Sequence, residues 1–419
     1  MLKLLLLPVA LLLSAFLFFN DSKPESKETL AETNLTERKQ ISDSIGSAIK
    51  NNQWPTEKEF TLNNEKNKLN INYTLDLSLQ KESDDLLKRY KPDYGAIFMI
   101  DAKTGRILAM SSFQKSDPKA SNLNLRATFP AASVFKVITA SAAIDHSGIN
   151  PDHKIAFNGG NYTLYKKNVL SETVNRWTRF ISLKDAFAKS INTAFGRLAI
   201  ENIEPKVLNS YAEKFMFNKE LRTDFPVEIS NAQIPADKGF ELSQVASGYN
   251  RYNTMSPVHG AMIAAAIINE GRMNSPYIVD ELTDSNKKIV YTGQSASNEQ
   301  IISVESAAKV QSMMEQTVLA GTSRKTFRKI MREKKFREVE MGGKTGHFSG
   351  INPKGRTDWF VGYASDGDNK VAIAAITVNI QKWTVKSSAL GEMMFRKHFK
   401  SVLEEKEITK IASIRKNRG

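Results

Sequence analysis

The hydrophobic and polar positions divide the chain into an apolar N-terminus, a polar stretch and a long region of strand and helix patterns. An uncharged apolar run covers residues 4–19, and Glu, Lys, Ser, Thr and Asn dominate residues 21–69. The first run is apolar enough to enter a bilayer, so residues 1–20 are predicted to be an N-terminal membrane anchor or signal. Residues 21–69 are predicted to be a polar spacer with at most short helices.

Strand patterns occur at both ends of the region that follows. Apolar runs at 94–100 and 106–110 flank a turn sequence and predict a hairpin. Helical, Ala-rich segments fill residues 130–318, and strand patterns return at 339–347, 359–364 and 371–378. We therefore predict an α+β domain over residues 70–400, with an antiparallel sheet built from both ends, flanking helices and a mainly helical insertion. Residues 401–419 are expected to be a basic tail.

Composition narrows the partners and the chemistry. The 419-residue chain has a formal net charge of +14 and no cysteine, which excludes disulfides, thiolate metal sites and Cys nucleophiles. The charge suggests an anionic partner or a solvated basic surface. Nucleic acid is disfavoured because no zinc-finger, ribonucleoprotein or basic-zipper pattern accompanies the charge. No cofactor or metal is expected.

Ser133 and Lys136 are the first candidate catalytic pair. They lie three residues apart at the start of an apolar helical run that Pro130 suits at its first turn. On one helix face the Lys136 amine can reach the Ser133 hydroxyl, and apolar neighbours would keep the amine neutral and able to accept a proton. Ser-x-x-Lys also occurs elsewhere, for example at Ser47 and Ser78, where a solvated surface pair is the default interpretation.

Ser190-Ile-Asn192 is the only Ser-x-Asn sequence in the chain. Residues two apart do not share a helix face, so both side chains can enter one site only if the helix breaks between Lys189 and Thr193. An ordinary turn between helices is the alternative, because Ser and Asn are favoured in turns.

A glycine-rich sequence near the C-terminal strands is the third candidate. In Gly342-Gly-Lys-Thr-Gly-His347 the glycines leave a nearly bare strand edge, along which an extended ligand can pair. Lys344 would supply positive charge there, and Thr345 a hydroxyl for an anionic group. A second Lys-Thr-Gly, residues 103–105, is explained by the hairpin turn.

Taken in order, Ser-x-x-Lys, Ser-x-Asn and Lys-Thr-Gly resemble the motifs of the penicillin-binding proteins and serine β-lactamases. Flanking segments such as Asp358-Trp-Phe-Val-Gly-Tyr363 extend the resemblance to transpeptidase domains over about residues 70–400. The resemblance implies that Ser133 attacks a D-alanyl-D-alanine stem peptide and that Lys136 takes its proton. The resemblance further implies that Ser190 relays a proton to the leaving amine, that Asn192 hydrogen-bonds the substrate amide and that Lys344 sets the electrostatic field of the site. Thr345 would bind the terminal carboxylate of the substrate. The backbone N–H groups of Ser133 and of His347, which follows Gly346, would form the oxyanion hole.

The resemblance predicts a penicillin-sensitive D,D-transpeptidase that cross-links peptidoglycan outside the bacterial cytoplasmic membrane. A D,D-carboxypeptidase or endopeptidase, a class D-like β-lactamase and a catalytically dead wall-synthesis scaffold remain alternatives. His347 departs from the Thr or Ser usual at its position, so either its side chain or only its backbone serves the substrate. With no segment large enough for a glycosyltransferase before residue 70, a glycosyltransferase partner is expected.

Overall fold

The computed structural model describes residues 27–62, 65–117 and 119–416. The predicted anchor or signal at residues 1–20 lies outside these ranges. Within them, no helix combines the length and the hydropathy needed to cross a bilayer.

The helices and strands follow one another in an α+β arrangement. The helices are α1 Lys27–Lys50, α2 Leu77–Tyr90, α3 Lys136–Ser141, α4 Lys166–Val169, α5 Leu183–Ala188, α6 Asn192–Asn202, α7 Pro205–Lys214, α8 Phe240–Ala246, α9 Pro257–Ile268, α10 Val304–Leu319, α11 Arg324–Phe327 and α12 Ser387–Lys416. The strands are β1 Glu57–Leu62, β2 Glu65–Tyr73, β3 Tyr94–Asp101, β4 Ile107–Gln114, β5 Phe129–Pro130, β6 Lys154–Phe157, β7 Arg179–Ser182, β8 Thr254–Met255, β9 Arg272–Asn274, β10 Val279–Thr283, β11 Ile289–Thr292, β12 Asn298–Gln300, β13 Glu340–Ile351, β14 Lys354–Ser365 and β15 Lys370–Asn379.

A five-stranded antiparallel sheet forms the centre of the domain. Its strand order is β13-β14-β15-β3-β4, so strands from both ends of the domain share one sheet, as predicted. Both faces are covered, which explains why β15 and the part of β14 from Trp359 to Ala364 are almost continuously apolar. Trp359 belongs to the core on one face and Phe360, the next residue, to the core on the other.

The insertion between β4 and β13 is mainly helical, and α9 is its most deeply buried part. Every residue of α9 is buried, and the helix packs against β14 and β15. Ser256 caps its N-terminus by accepting a hydrogen bond from the backbone N–H of His259, and Pro257 takes the first helical position. A helix buried on all sides explains the uniformly apolar sequence of this segment.

The prediction that residues 21–69 hold at most short helices was wrong. Helix α1 has 24 residues, and its Ile41, Ile45 and Ile49 are fully buried in the main core. Their spacing of four places them on one face, a stripe too narrow to stand out in a polar sequence. Strands β1 and β2 extend the structured region further: they form a second sheet with β10 and β11, in which β2 pairs with β10.

Arg38 attaches α1 to the rest of the domain. Its side chain is 1% exposed and donates hydrogen bonds to the carbonyl oxygens of Arg222, at 2.8 Å, and Pro276, at 2.6 Å. Nearby, the buried Asp224 carboxylate accepts the backbone N–H groups of Ile278 and Val279. A charged residue in α1 is thus part of the interior, which composition alone conceals.

The predicted basic tail was also wrong as a separate segment. Helix α12 runs from Ser387 to Lys416 without a break, and its buried Phe395 and Phe399 pack in the second core. A boundary at residue 400 would cut this helix. From Glu404 to Lys410 every side chain of the helix is exposed.

Candidate active site

Ser133 lies on a tight turn that enters a helix. A 3-10 helix covers Ala132–Phe135, and α3 begins only at Lys136, so the helix predicted from residue 131 starts later than expected. In a 3-10 helix residues three apart lie almost directly above one another, which shortens the reach from Lys136 to Ser133. The Lys136 Nζ lies 3.0 Å from the Ser133 Oγ.

The backbone around Ser133 is tightly constrained. Ala132 has a φ of 48°, a conformation that costs a non-glycine residue free energy and is often found at functional sites. Gly248 lies against this turn with a φ of 67°, and a Cβ there would come within 1.8 Å of the Ala132 carbonyl oxygen. Only glycine satisfies both conditions at position 248.

Lys136 is completely buried and has three polar partners. Its Nζ donates to Ser133 Oγ, to Asn192 Oδ1 at 2.8 Å and to the Ser247 carbonyl oxygen at 2.5 Å. Burial, and secondly the charge of Lys344, hold the pKa of the Lys136 amine well below its usual value. In its neutral form the amine has two N–H bonds, enough for Asn192 and Ser247, and its lone pair can then accept the proton of the Ser133 hydroxyl.

The Ser-x-Asn sequence forms the predicted break between two helices. Ser190 has a φ of 55° and lies in a turn. Helix α5 ends before this turn and α6 begins after it. Asn192 starts α6, where its Oδ1 accepts from Lys136 and its Nδ2 donates to the Tyr162 carbonyl oxygen at 2.8 Å. The break directs both side chains toward the Ser133 cleft.

Lys344 completes this network from β13. Its Nζ donates to the Ser190 Oγ at 2.8 Å and to the Thr345 carbonyl oxygen at 3.0 Å. Burial lowers the pKa of the Lys344 amine from 10.5 to about 7. The first Lys-Thr-Gly sequence lies elsewhere, in the hairpin turn, where Asp101 Oδ1 accepts the backbone N–H groups of Lys103 and Thr104.

Thr345 and Gly346 form the edge of the cleft next to Ser133. The Thr345 Oγ1 lies 2.6 Å from the Oγ1 of Thr322, which follows α10. A Cβ on Gly346 would lie 3.4 Å from the Ser133 backbone nitrogen, so β13 runs directly beside the turn that carries Ser133. Thr322 was not predicted as a site residue, because nothing in the sequence shows that it reaches Thr345.

His347 has a partner that the sequence analysis missed. Directly opposite it on β14 is Asp358, and the His347 Nε2 lies 2.6 Å from the Asp358 Oδ1. The Asp358 carboxylate is buried and also accepts the backbone N–H of Ser387, at the start of α12, at 2.7 Å. His347 itself is half exposed and meets Trp383 edge to face. The side chain is therefore oriented by a fixed carboxylate.

These groups surround a cleft of about 380 Å³. Its lining residues are Ser133, Tyr162, Ser190, Asn192, Gly248, Tyr249, Thr322, Thr345, His347 and Phe348. Tyr162, Tyr249 and Phe348 were not predicted, since nothing in the sequence shows that these three aromatic residues meet at the cleft. Lys136 and Lys344 lie behind the wall as buried groups. In the described ranges no cluster of His, Asp and Glu could hold a metal ion.

Comparison with known proteins identifies the family of this domain. The family described as penicillin binding protein transpeptidase domain matches residues 95–399. Stage V sporulation protein D of Bacillus subtilis is 25% identical over 294 residues, which cover 67% of this chain but 43% of that protein. The peptidoglycan D,D-transpeptidase PbpA of Mycobacterium tuberculosis is 26% identical over 347 residues, covering 74% of this chain and 67% of the relative.

Solved structures share the fold. Penicillin-binding protein A from M. tuberculosis, in its imipenem acyl-enzyme complex, matches with a TM-score of 0.64 at 23% identity, covering 79% of each chain. The D,D-transpeptidase domain of a peptidoglycan glycosyltransferase from Eggerthella lenta matches with a TM-score of 0.65 at 22% identity, covering 80% of this chain and 83% of the other. The family match spans well over half of the sequence, and this chain belongs to the penicillin-binding-protein transpeptidase family.

Proposed function

We propose that this chain is a serine D,D-transpeptidase that is acylated at Ser133 by D-Ala-D-Ala stem peptides and cross-links peptidoglycan. The observation that carries the proposal is the buried Lys136 amine, 3.0 Å from the Ser133 hydroxyl, with its pKa lowered by burial. A PbpA relative of this chain is named as a peptidoglycan D,D-transpeptidase, and structures of M. tuberculosis penicillin-binding protein A are titled as acyl-enzyme complexes with imipenem and penicillin G. β-Lactams are therefore the expected inhibitors.

Acylation begins with proton transfer from Ser133 to Lys136. The Ser133 Oγ attacks the carbonyl carbon of the penultimate D-Ala, and the negative charge on the carbonyl oxygen would be met by the backbone N–H groups of Ser133 and His347. Collapse of the tetrahedral intermediate breaks the C–N bond. The leaving amine takes its proton through Ser190, whose hydroxyl is bonded to Lys344.

The substrate carboxylate would lie at the β13 edge. Thr345 and Thr322 present hydroxyls there, and His347 presents an imidazole held by Asp358. The two threonine hydroxyls can donate hydrogen bonds to a carboxylate. With Nε2 held by Asp358, the imidazole can donate from Nδ1 in its charged form, which also adds attraction. The Asp358 contact supports a role for the His347 side chain as well as its backbone.

The cleft favours a long-lived acyl-enzyme. None of its lining residues is Asp or Glu, so a water molecule that enters finds no carboxylate base. Glu204, at the N-cap position before α7, does not line the cleft and pairs with Lys238 at 2.7 Å. These features favour transfer of the acyl group to an amine over the rapid hydrolysis that a β-lactamase carries out.

Labelling with a fluorescent penicillin tests the proposal. Wild-type protein should acquire a stable covalent label, and Ser133→Ala should acquire none, because among the described residues Ser133 carries the only hydroxyl that is hydrogen-bonded to the Lys136 amine. Label that appears and is lost within minutes would identify a β-lactamase. An unlabelled wild-type protein would contradict the proposal.

The cellular setting is part of the same proposal. An N-terminal anchor within residues 1–20 would hold the domain outside the cytoplasmic membrane of a bacterium, in the periplasm or at the cell surface. A separate glycosyltransferase would supply the glycan strands. Retention of the full chain in bacterial membranes, with its domain accessible to external protease, is the corresponding measurement.

A further inference from the structure

A strongly basic patch lies between α10 and β13, beside the Ser133 cleft. Residues 324–337 contain four arginines and four lysines, and all eight side chains are exposed. These eight cations form the basic patch. Glu333 is the only acidic residue in the segment, so eight cations and one carboxylate leave seven positive charges, half of the formal net charge of +14 of the chain.

The cations of the basic patch have no anionic partners in the fold. Among the described residues, none of the eight takes part in an ion pair. Glu333 binds Arg396 of α12 at 2.7 Å, so it neutralises a cation outside the patch. Like charges at this density repel one another, and only an anionic ligand or dissolved salt offsets the repulsion.

Buried side chains hold the patch in place on the domain. Phe327, Ile330 and Phe336 alternate with its cations along the chain and are buried in the second core. The centre of the Phe327 ring lies 5.3 Å from that of Phe360 in the central sheet. The backbone that carries the charges is therefore preorganised, and ordering it on ligand binding costs little free energy.

The patch begins at the rim of the cleft. Thr322 lines the cleft, and Arg324 is two residues further along the chain, at most about 7 Å away. The Thr322 backbone N–H donates to the Ala188 carbonyl oxygen at 3.1 Å, and the exposed Lys189 follows Ala188. A polymer with one segment in the cleft can therefore place an adjacent segment on the patch.

The proposed substrate carries the complementary charge. Each D-Ala-D-Ala stem peptide ends in a free carboxylate, and a glycan strand carries many stem peptides. A strand with one stem peptide at Ser133 thus presents further carboxylates outside the cleft. Arginine and lysine both bind carboxylates, and several weak contacts on one polymer combine into a stronger attachment. This continuity with the cleft favours the glycan strand over an anionic bilayer or a phosphate polymer.

We propose that the basic patch binds stem-peptide carboxylates of the glycan strand outside the cleft, so that the strand stays bound between successive acylations. The inference rests on the proposed transpeptidase function, because the strand is its substrate. No bond is made or broken at the patch. It acts by raising the local concentration of stem peptides at Ser133, and salt weakens this effect.

Sedimentation with purified, insoluble peptidoglycan measures binding at the patch. The full chain carries Ser133→Ala, which prevents covalent attachment to stem peptides. Adding Arg328→Glu and Lys334→Glu should weaken binding by about tenfold or more, and high salt should weaken binding of the protein with the intact patch. Lys287→Glu with Lys288→Glu is the matched control and should not weaken binding. These two exposed lysines lie in the turn between β10 and β11, and the change in net charge is the same.

Two treatments of the peptidoglycan identify the anion that is bound. Amidation of its carboxylates should abolish the difference between the patch variant and the control variant. Hydrofluoric acid, which removes phosphate-linked polymers, should leave that difference unchanged. The opposite pattern would assign the patch to a phosphate polymer and overturn the proposal. Patch-dependent binding of phosphatidylglycerol vesicles without patch-dependent binding of peptidoglycan would assign it to the bilayer and also overturn the proposal.

Kinetics with Ser133 restored connects the patch to catalysis. In the patch variant, the half-saturating concentration of a soluble glycan strand with several stem peptides should rise by about fivefold or more. That of a single N-acylated D-Ala-D-Ala peptide should change by less than about twofold, because one carboxylate gains little from a multivalent surface. Equal changes for the strand and the single peptide would contradict retention of the strand.

Fluorescent penicillin separates failure of this inference from failure of the proposed function. The patch variant should be acylated at the wild-type rate, since the substituted residues are exposed and leave the Ser133 network intact. Normal acylation with equal peptidoglycan binding in the patch variant and the control variant would overturn the patch alone. A protein that resists penicillin but binds peptidoglycan through the patch would overturn only the transpeptidase assignment.

Discussion

Lys136 and Lys344 are two fully buried amines joined to the same Ser-x-Asn turn, Lys136 through Asn192 Oδ1 and Lys344 through Ser190 Oγ, each at 2.8 Å. Burial lowers the pKa of both amines, and the charge of Lys344 lowers that of Lys136 further. The arrangement favours a neutral Lys136 next to Ser133. Lys344 is then the lysine whose charge changes near neutral pH.

Removing the charge of Lys344 should move the pH dependence of acylation. In Lys344→Met the pKa of Lys136 rises, so the pH at which the neutral base forms becomes higher and the rising limb of the profile shifts to higher pH. The maximal rate should also fall by about 10²–10³. The measurement is the second-order rate of penicillin acylation across a pH series. A slower enzyme with an unshifted profile would contradict the coupling of the two lysines.

Lys103→Met is the matched control for that experiment. Lys103 belongs to the other Lys-Thr-Gly sequence, where its Nζ donates to the Asp368 carbonyl oxygen at the surface. Neither the acylation rate nor its pH profile should change in this variant.

Lys344→Met should also stabilise the protein near neutral pH. Burial lowers the pKa of Lys344 from 10.5 to about 7, so between these values the unfolded chain holds a proton that the folded chain has released. Stability therefore rises with pH across this window, and the cost of burying the lysine is largest at and below its lower end. Urea denaturation should show a gain of about 1–4 kcal/mol at neutral pH, decreasing toward alkaline pH. A loss of stability would show that the Ser190 and Thr345 contacts outweigh desolvation.

His347 should contribute to binding donors that carry a free carboxylate. In His347→Ala, the KM of a D-Ala-D-Ala donor should rise by about tenfold, the effect of one lost charge-assisted contact. The KM of the corresponding methyl ester should hardly change. His347→Thr, which restores a hydroxyl donor, should recover much of the loss. Equal KM changes for acid and ester would show that His347 acts only through its backbone.

Gly248→Ala should disable the nucleophile turn. The new Cβ would collide with the Ala132 carbonyl oxygen and displace Ser133, so acylation should slow by about tenfold or more. Gly148→Ala is the control, because Gly148 has a φ of 66° and no atom within 4 Å of the added Cβ. Both variants should lose about 1 kcal/mol of stability from the backbone conformation, and normal acylation in Gly248→Ala would refute the steric account.

Helix α1 should contribute to the stability of the domain. Ile45→Ala removes buried methyl groups and should lower the free energy of unfolding by about 2–5 kcal/mol. The same change at Ile289, which is 51% exposed, should cost about 0.5 kcal/mol or less. Chemical denaturation of both variants provides the comparison, and equal effects would mean that α1 is not part of the cooperative unit.

The sequence by itself determined the strands of the central sheet and indicated Ser133 and Lys136 as the proposed nucleophile and base. Ser133 and Lys136 are only three residues apart, so their proximity follows from local structure. The break at Ser190 was predicted from the turn-forming residues Ser190 and Asn192. Apolar runs identified β3, β4 and β13–β15, and their common sheet was predicted from their strand-like character. Local spacing and periodicity carry these features, and the family match confirms the resemblance that they indicated.

Only the tertiary structure decided which distant groups complete the site. The contacts of Lys136 with Asn192 and Ser247, of Thr345 with Thr322 and of His347 with Asp358 join residues far apart in sequence. Strand register and helix packing produce these pairs, and neither is encoded in a short segment. Helix α1 was not predicted for the same reason. Its few isoleucines are buried only because the rest of the domain packs against them, and burial depends on the whole fold.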